Sequence, residues 1–286
     1  MKRNYALFLV LAALIAAFTG ATHAATVGFW QFNEKDPGQQ ADGTAGAILD
    51  SSGNGHHGTA VGNPLPLYVH GPSDPPSAIQ LTVGNTIEDR IEVPHSPDFD
   101  LMLADLQDYT IEAIVKLGSE AVFGSAIITK RGTTGTGWSL RTASSGVPSL
   151  YIEGTGLNFT HPEPQGVTPI NDGLWHHVAV VIDATSDPAL SSVTFYVDHV
   201  EDAKVLITDT IYAGGDWVNE NIANTHDVWI GDFIGRASDQ FVGAIDAVRF
   251  STGILTPDQF LSVIPEPSSV VLLLVGLLSL FARRRS

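Results

Sequence analysis

Residues 172–182, Asp-Gly-Leu-Trp-His-His-Val-Ala-Val-Val-Ile, carry the clearest structural signal in the chain. An Asp-Gly pair, which favours a turn, precedes an alternation in which His176, Val178, Val180 and Ile182 share one side of an extended strand. Alternation with a period of two predicts a β-strand that buries one face. We therefore expect a sheet protein.

The same alternation recurs before and after this stretch, at residues 109–116 and 193–198. Further strands are predicted at residues 27–32, 79–83, 87–93, 126–130, 138–142, 149–153, 228–231 and 241–250. This many short strands, about 8–12 residues apart, favour an all-β fold in which two antiparallel sheets form a jellyroll sandwich. No Pro/Ser linker interrupts residues 25–262, so we expect one domain there.

The composition is acidic and lacks cysteine. The chain has 14 Lys and Arg against 31 Asp and Glu, a net charge of −17. Five of those basic residues and one acidic residue lie in the two terminal segments, so residues 25–262 carry about −21. Such a surface repels phosphate backbones, so we expect no nucleic-acid partner. The lack of cysteine excludes disulfides, thiolate metal sites and lipoprotein attachment.

The first 24 residues have the layout of a secretory signal peptide. Lys2 and Arg3 precede an apolar stretch at residues 6–18, and small residues around Ala24 suit cleavage. The alternative, a membrane anchor, fails on length, because about 13 helical residues reach only ~20 Å of a ~30 Å hydrocarbon core. We expect an exported chain that begins near Ala25.

The last 24 residues combine three elements in order. Pro265, Glu266 and Pro267 precede an apolar run at residues 270–282, and the arginines Arg283, Arg284 and Arg285 follow it. The run is apolar all round, which favours a short transmembrane helix over a buried terminal helix of the domain. The arginines would stay on the cytoplasmic side, leaving the body outside.

Residues 263–286 resemble a PEP-CTERM sorting signal. The resemblance implies processing by an exosortase-type enzyme in bacteria that make exopolysaccharide. It further implies a transient inner-membrane anchor and then delivery to the cell surface or extracellular matrix. It implies nothing about activity.

A second resemblance covers nearly the whole body. Five blocks in the expected order resemble a laminin-G-like, concanavalin A-like jellyroll domain: residues 29–32 with 50–58, 109–113, 172–180, 193–198 and 241–249. Three positions depart from the usual pattern. His199 stands where a turn glycine is common, Ile114 where a tryptophan is common, and Ala247 where a glutamate often follows the aspartate.

Calcium is the cofactor that this resemblance implies, as a structural ion. The loop at residues 50–58 combines Asp, Ser and Asn with glycines, which suits Ca²⁺, although the same residues also build a tight turn without a metal. Asp246 alternates with Val248 and Phe250, and a carboxylate on their face needs a cation or several donors. The candidate ligands are Asp50, Asn54 and Asp246, with Glu34 a weaker one.

Two features invite a catalytic interpretation and support it weakly. The pairs His56-His57 and His176-His177 cannot chelate one metal, since adjacent strand residues point to opposite faces, so we expect a structural role beside Trp175. Glu88 and Glu92 share a strand face but have Arg90 between them, unlike the paired carboxylates of a retaining glycosidase. We expect no catalytic residue here.

A glycine-rich loop offers a better candidate for ligand binding. Asp216 and Trp217 combine an aromatic face with a hydrogen-bond acceptor, the pairing that holds sugar rings. Trp138 and Tyr151 could contribute from adjacent strands, and packing of the loop is the alternative interpretation.

The leading functional prediction is a non-enzymatic carbohydrate-binding or adhesion module acting on extracellular polysaccharide. The alternatives are a glycan hydrolase or lyase of the same fold, and a passive structural component of the matrix.

Overall fold

The computed structural model describes residues 24–73, 77–82, 88–119, 124–132, 136–153, 163–184, 193–207, 221–233 and 239–262. The predicted signal peptide, the sorting signal at residues 263–286 and the loop with Asp216 and Trp217 lie outside these residues. Within the described part of the chain, no helix is long and apolar enough to cross a bilayer.

The described residues form eighteen strands and two short 3₁₀ turns. The first nine strands are Ala25–Trp30 (β1), Thr59–Val61 (β2), Leu67–His70 (β3), Ser77–Leu81 (β4), Arg90–Val93 (β5), Leu101–Met102 (β6), Tyr109–Leu117 (β7), Ala126–Arg131 (β8) and Gly137–Thr142 (β9). The others are Pro148–Glu153 (β10), Glu163–Gln165 (β11), Trp175–Ile182 (β12), Val193–Val197 (β13), Val200–Asp202 (β14), Val205–Ile207 (β15), Asn221–Ile222 (β16), Val228–Ile230 (β17) and Gly243–Thr252 (β18). The 3₁₀ turns are Pro97–Phe99 and Leu103–Asp105.

Two antiparallel sheets contain sixteen of these strands. The first sheet has the order β14-β13-β12-β7-β18-β4-β3, with β1 also paired to β18. The second has the order β15-β11-β10-β9-β8-β17-β5-β2, and β16 pairs with β6 separately. Some neighbours, such as β7 and β18 or β8 and β17, are distant in sequence, as in a jellyroll. The expected all-β, two-sheet sandwich is confirmed.

The core lies between the sheets and centres on aromatic rings. Phe250 of β18 contacts Phe99, Tyr109 and Trp138, with ring centroids 5.3 to 5.6 Å apart. Trp138 is fully buried and its indole donates a 2.8 Å hydrogen bond to the Phe99 carbonyl. The suggestion that Trp138 helps to bind sugar is therefore wrong, because β9 turns this side chain toward the core.

Strand β7 is buried on both faces, unlike a strand of a half-solvated sheet. Thr110 and Glu112 lie opposite its apolar residues as predicted, yet both are fully buried, and only Lys116 is exposed. The reason is a second, smaller cluster on the outside of this sheet, which packs Leu255 and Phe260 on β12. The chain after β18 thus covers part of the first sheet.

The turn between β13 and β14 explains one departure from the family pattern. Asp198 and His199 form a two-residue connection in which both have positive φ, 51° and 66°. Such a turn favours glycine, asparagine or aspartate. Two contacts hold His199 in this conformation. Its Nε2 donates a hydrogen bond to the Leu261 carbonyl at 2.9 Å, and its ring packs on Phe260.

Candidate functional site: the outer face of the second sheet

Strand register places a row of polar and aromatic side chains across the outer face of the second sheet. Tyr151 of β10 lies opposite Ser139 of β9, which lies opposite Thr129 of β8. Thr129 in turn pairs with Trp229 of β17, and Trp229 with Glu92 of β5. The residues beside them in sequence, such as Leu140 and Ile128, belong to the core, so this row points away from it. We call it the outer row.

Arginines pack on the aromatic rings at one end of the outer row. The guanidinium of Arg141 lies 4.6 Å from the ring centre of Tyr151, and that of Arg131 lies 5.0 Å from it. Arg131 is equally close to Phe233, whose ring meets Tyr151 edge-on at 6.2 Å. All four side chains are buried, which strengthens cation–π attraction.

Carboxylates neutralise these arginines. Glu153 accepts hydrogen bonds from Arg131, at 2.7 Å for Nε. Arg141 donates to Glu163 at 3.0 Å and lies 3.4 Å from Asp239. Buried charges are tolerated only in such pairs. These ion pairs fix the positions of the guanidinium and carboxylate groups next to the aromatic rings.

The other end of the outer row is more open. Trp229 and Glu92 are both partly exposed, and the guanidinium of Arg90 lies 4.2 Å from the Trp229 ring centre. Arg90 also forms a 2.6 Å ion pair with Glu92. A partly exposed indole beside a fixed guanidinium offers an apolar surface and donors for hydroxyl groups.

One carboxyl near this end has an unusual proton affinity. Burial raises the pKa of Asp232 to about 7, and the nearby Glu88 adds to the rise. The Phe233 N–H donates to Asp232 at 2.7 Å, and Arg90 lies 3.8 Å away, but neither offsets the loss of hydration. Asp232 is thus protonated over part of the physiological pH range.

The structure places the predicted calcium ligand Asp50 inside a loop that it organises. One of its oxygens accepts from the N–H groups of Phe29 and Ser52, and the other accepts from the Ser52 hydroxyl and the His56 N–H. Burial opposes ionisation, but these hydrogen bonds outweigh it and lower the pKa of Asp50. Its acceptor positions are therefore already used by the protein.

Asn54 and Asp246 have different surroundings. The Asn54 amide donates to the carbonyls of Thr26 and Val27, whereas Asp246 accepts from the Ser73 hydroxyl. A bulge in β18 interrupts the alternation at Asp246, which is buried and has one carboxylate oxygen without a hydrogen bond. Within the described residues no three His, Asp or Glu side chains converge in a way that could hold a metal ion. Glu34, the weaker candidate, accepts from the Tyr68 hydroxyl at 2.7 Å.

The histidine pair of β12 divides between inside and outside. His177 is fully buried and its Nε2 lies 2.8 Å from Glu112, while His176 lies on the other face between Asp172 and Asp198. Trp175, expected beside the core, is only half-buried. The earlier pair also separates, since His57 accepts from the Asp50 N–H and His56 lies 3.3 Å from Asp98.

Sequence reasoning missed most of this face. Of the outer row, Tyr151 was singled out as a binding residue and Glu92 as a weak catalytic candidate. Arg141 on a predicted strand and Arg131 just after another were missed, although both alternate with core residues. Arginine at such positions in β-rich sequence is the signal that could have found them. The aromatic–arginine packing itself depends on which strands become neighbours.

The two packed antiparallel sheets define a concanavalin A-like β-sandwich. Residues 84–260 match the Laminin_G_3 family, described as the concanavalin A-like lectin/glucanases superfamily. The chain belongs to this family.

Among solved structures, the chain resembles domain 4 of AbnA, a GH43 extracellular arabinanase from Geobacillus stearothermophilus in complex with arabinotriose. The identity is 19%, the TM-score 0.54, and the match covers 82% of this chain and 96% of that one. The binding domain of Paraclostridial Mosquitocidal Protein 1 is similar at 13% identity and TM-score 0.56, over 82% of this chain and 50% of that one. A structure on botulinum neurotoxin type C, whose cell entry depends on two ganglioside molecules, matches at 11% identity and TM-score 0.52, with 82% and 50% covered. A comparison with curated proteins found no match.

Proposed function

We propose that this chain is an exported surface or extracellular-matrix protein whose jellyroll binds carbohydrate without cleaving it. The terminal segments support export and exosortase processing, since they carry the elements of a signal peptide and a sorting signal in order. The family supports a carbohydrate ligand, as do the arabinotriose complex of one structural neighbour and the gangliosides of another.

The outer row is the observation that carries the proposal. Trp229 and Glu92 at its open end are partly exposed, whereas Tyr151, Ser139 and Thr129 are buried and the Ser139 hydroxyl has no hydrogen-bond partner. Sugars present apolar ring faces and many hydroxyls, which match aromatic rings and fixed polar groups. Trp229 is the residue that a ligand meets first, because it is partly exposed.

Retention on a panel of neutral polysaccharides tests the proposal. The full-length protein is compared with Trp229→Ala and with Tyr196→Ala, which removes a partly exposed ring from the first sheet. We expect Trp229→Ala to weaken retention at least about tenfold and Tyr196→Ala to leave it unchanged. Equal retention by all three proteins would show that the outer row does not bind the polysaccharide.

A glycan hydrolase is the second candidate function, and one observation favours it. Asp232, with a pKa of about 7, shares a hydrogen bond with Glu88. A protonated carboxyl group beside a second carboxyl group is the arrangement that glycosidases use for general acid catalysis. Assays for reducing ends on the retained polysaccharides separate the two functions. We expect none from the wild type; release of reducing ends that Asp232→Asn abolishes would establish the enzyme instead.

Calcium enters the proposal as a structural ion. Asp246 fits a calcium ion best, because one of its carboxylate oxygens has no hydrogen bond. That oxygen faces Gly71, where an added Cβ would lie only 2.1 Å from it. Asp50 and Asn54 would need to exchange protein hydrogen bonds for the metal. We expect bound calcium by elemental analysis and a lower melting temperature in chelator, with Asp246→Asn insensitive to the chelator. Metal-free protein with an unchanged melt would end the calcium proposal.

A further inference from the structure

A groove crosses the outer face of the first sheet, on the side of the molecule opposite to the outer row. Register pairs Trp175 of β12 with Lys116 of β7, Lys116 with Ala244 of β18, and Ala244 with Gln80 of β4. These side chains point away from the core, because their sequence neighbours Val115, Leu117, Ile79, Leu81 and Ile245 belong to it.

The groove is large enough for a small ligand. The short side chain of Ala244 leaves a hollow between Lys116 and Gln80, and the half-buried indole of Trp175 stands at one side. The volume of this open groove is about 460 Å³. This lies within the range of ~300–1,000 Å³ that small-molecule sites occupy.

Lys116 gives this groove a positive charge that no carboxylate among the described residues neutralises. Its side chain is exposed and forms no hydrogen bond or ion pair with any described residue. By contrast, the arginines that pack against the outer row are paired with carboxylates. In a protein of net charge −17, an ammonium group that no described carboxylate neutralises attracts an anionic ligand to the groove.

The neighbours of Lys116 suit a sugar that carries the anion. Gln80 donates its amide hydrogens to the carbonyls of Leu81 and Gly243, at 3.1 and 2.8 Å. These bonds fix the amide and leave its oxygen available to accept from a hydroxyl group. Trp175 supplies an aromatic surface for a sugar ring. One cation, one acceptor and one indole match a single carboxylate on a hydroxylated ring.

We propose that this groove is a second saccharide site, selective for uronic-acid residues of acidic polysaccharide. This second site rests on the proposed function and extends it, because the protein would bind an acidic saccharide as well as a neutral one. Trp175 packs on the sugar ring, Lys116 pairs with its carboxylate, and Gln80 accepts from a hydroxyl group.

Calorimetric titration with a tetramer of galacturonic acid tests the site. Its methyl ester serves as the uncharged control ligand. We expect Lys116→Gln to weaken binding of the acid about tenfold or more, because it removes a charge-assisted hydrogen bond. Lys35→Gln, which removes an equal charge from a loop, should change it less than about twofold. Trp175→Leu should weaken binding of both the acid and the ester.

The outcomes separate this site from the outer row. Loss of acid binding in Lys116→Gln but not in Trp229→Ala supports the groove, whatever the neutral panel shows. Loss in Trp229→Ala with unchanged binding in Lys116→Gln overturns the groove and leaves the outer row in place. Absence of acid binding by the wild type, or equal weakening by Lys116→Gln and Lys35→Gln, also overturns it. Since Lys116 is exposed, its variant is expected to fold, which thermal melts check.

Discussion

At the scale of single residues, the most instructive contrast is the pair His176-His177. The sequence predicted one ring inside and one outside, because neighbours on a strand face opposite ways. The structure adds what each ring does. His177 pairs with the buried Glu112, and His176 bridges Asp172 and Asp198 at 3.1 and 2.9 Å.

His176 should make stability depend on pH. Burial lowers its pKa, but the hydrogen bonds to Asp198 and Asp172 outweigh burial and raise the pKa above 6.5. The charged ring therefore stabilises the fold below the unfolded pKa, and this contribution is lost as the pH rises through the folded value. We expect His176→Gln to unfold at lower temperature than the wild type near pH 5, with the gap closing near pH 9.

Thermal melts over this pH range provide the measurement, with His95→Gln as the control, since His95 is exposed. A gap that stays constant with pH would mean that His176 contributes by packing alone.

At the scale of elements, the segment after β18 is held by a buried charge network. Glu112 of β7 pairs with His177 of β12 and Arg249 of β18, and it also accepts from the Leu261 N–H at 2.8 Å. Arg249 donates to the Gln259 carbonyl at 2.7 Å. Three strands and the C-terminal segment thus meet at one carboxylate.

Removing that carboxylate's charge should be costly. Glu112→Gln leaves Arg249 and His177 without their buried partner, and breaking a buried pair costs about 3 kcal/mol or more. We expect the midpoint of urea unfolding to fall accordingly. Glu201→Gln, on an exposed position of β14, should change the free energy of unfolding by less than about 0.5 kcal/mol. A similar loss of unfolding free energy in both variants would show that the network around Glu112 stabilises the fold no more than an exposed carboxylate does.

At the scale of the whole molecule, the described fold ends just before the sorting signal. Leu255 donates its N–H to the Thr110 hydroxyl at 3.0 Å, and Phe260 packs on the second cluster. The body therefore needs the chain up to about Ser262, whereas the proposed tail at residues 263–286 should be dispensable.

Two truncations test this division. A chain that ends at Ser262 should keep the melting temperature of the full-length chain. A chain that ends at Ile254 should lose several degrees, because it uncovers Ala179 and Val181 of β12 and frees Glu112 from Leu261. An unfolded product from the first truncation would favour the alternative in which the tail is a buried helix of the domain.

Strand positions could be predicted closely, because they depend on local alternation. The predicted residues 126–130 and 138–142 became Ala126–Arg131 and Gly137–Thr142. Short strands such as Thr59–Val61 and Glu163–Gln165 were missed, since three residues carry too little periodicity and the second contains Pro164. Strand bulges were missed for a similar reason: the irregularity at Asp246 exists only opposite a partner strand.

The sequence by itself determined the all-β class, the strand pattern, the family blocks and the layout of the two ends, since each depends on residues adjacent along the chain. The tertiary structure alone decided that Trp138 is core, that Glu112 lies beneath the C-terminal segment, and that Tyr151 and Trp229 share a row. These facts depend on which distant strands pair and in what register. Local alternation determines which face of its strand a side chain occupies, but only strand pairing determines which residues lie beside it.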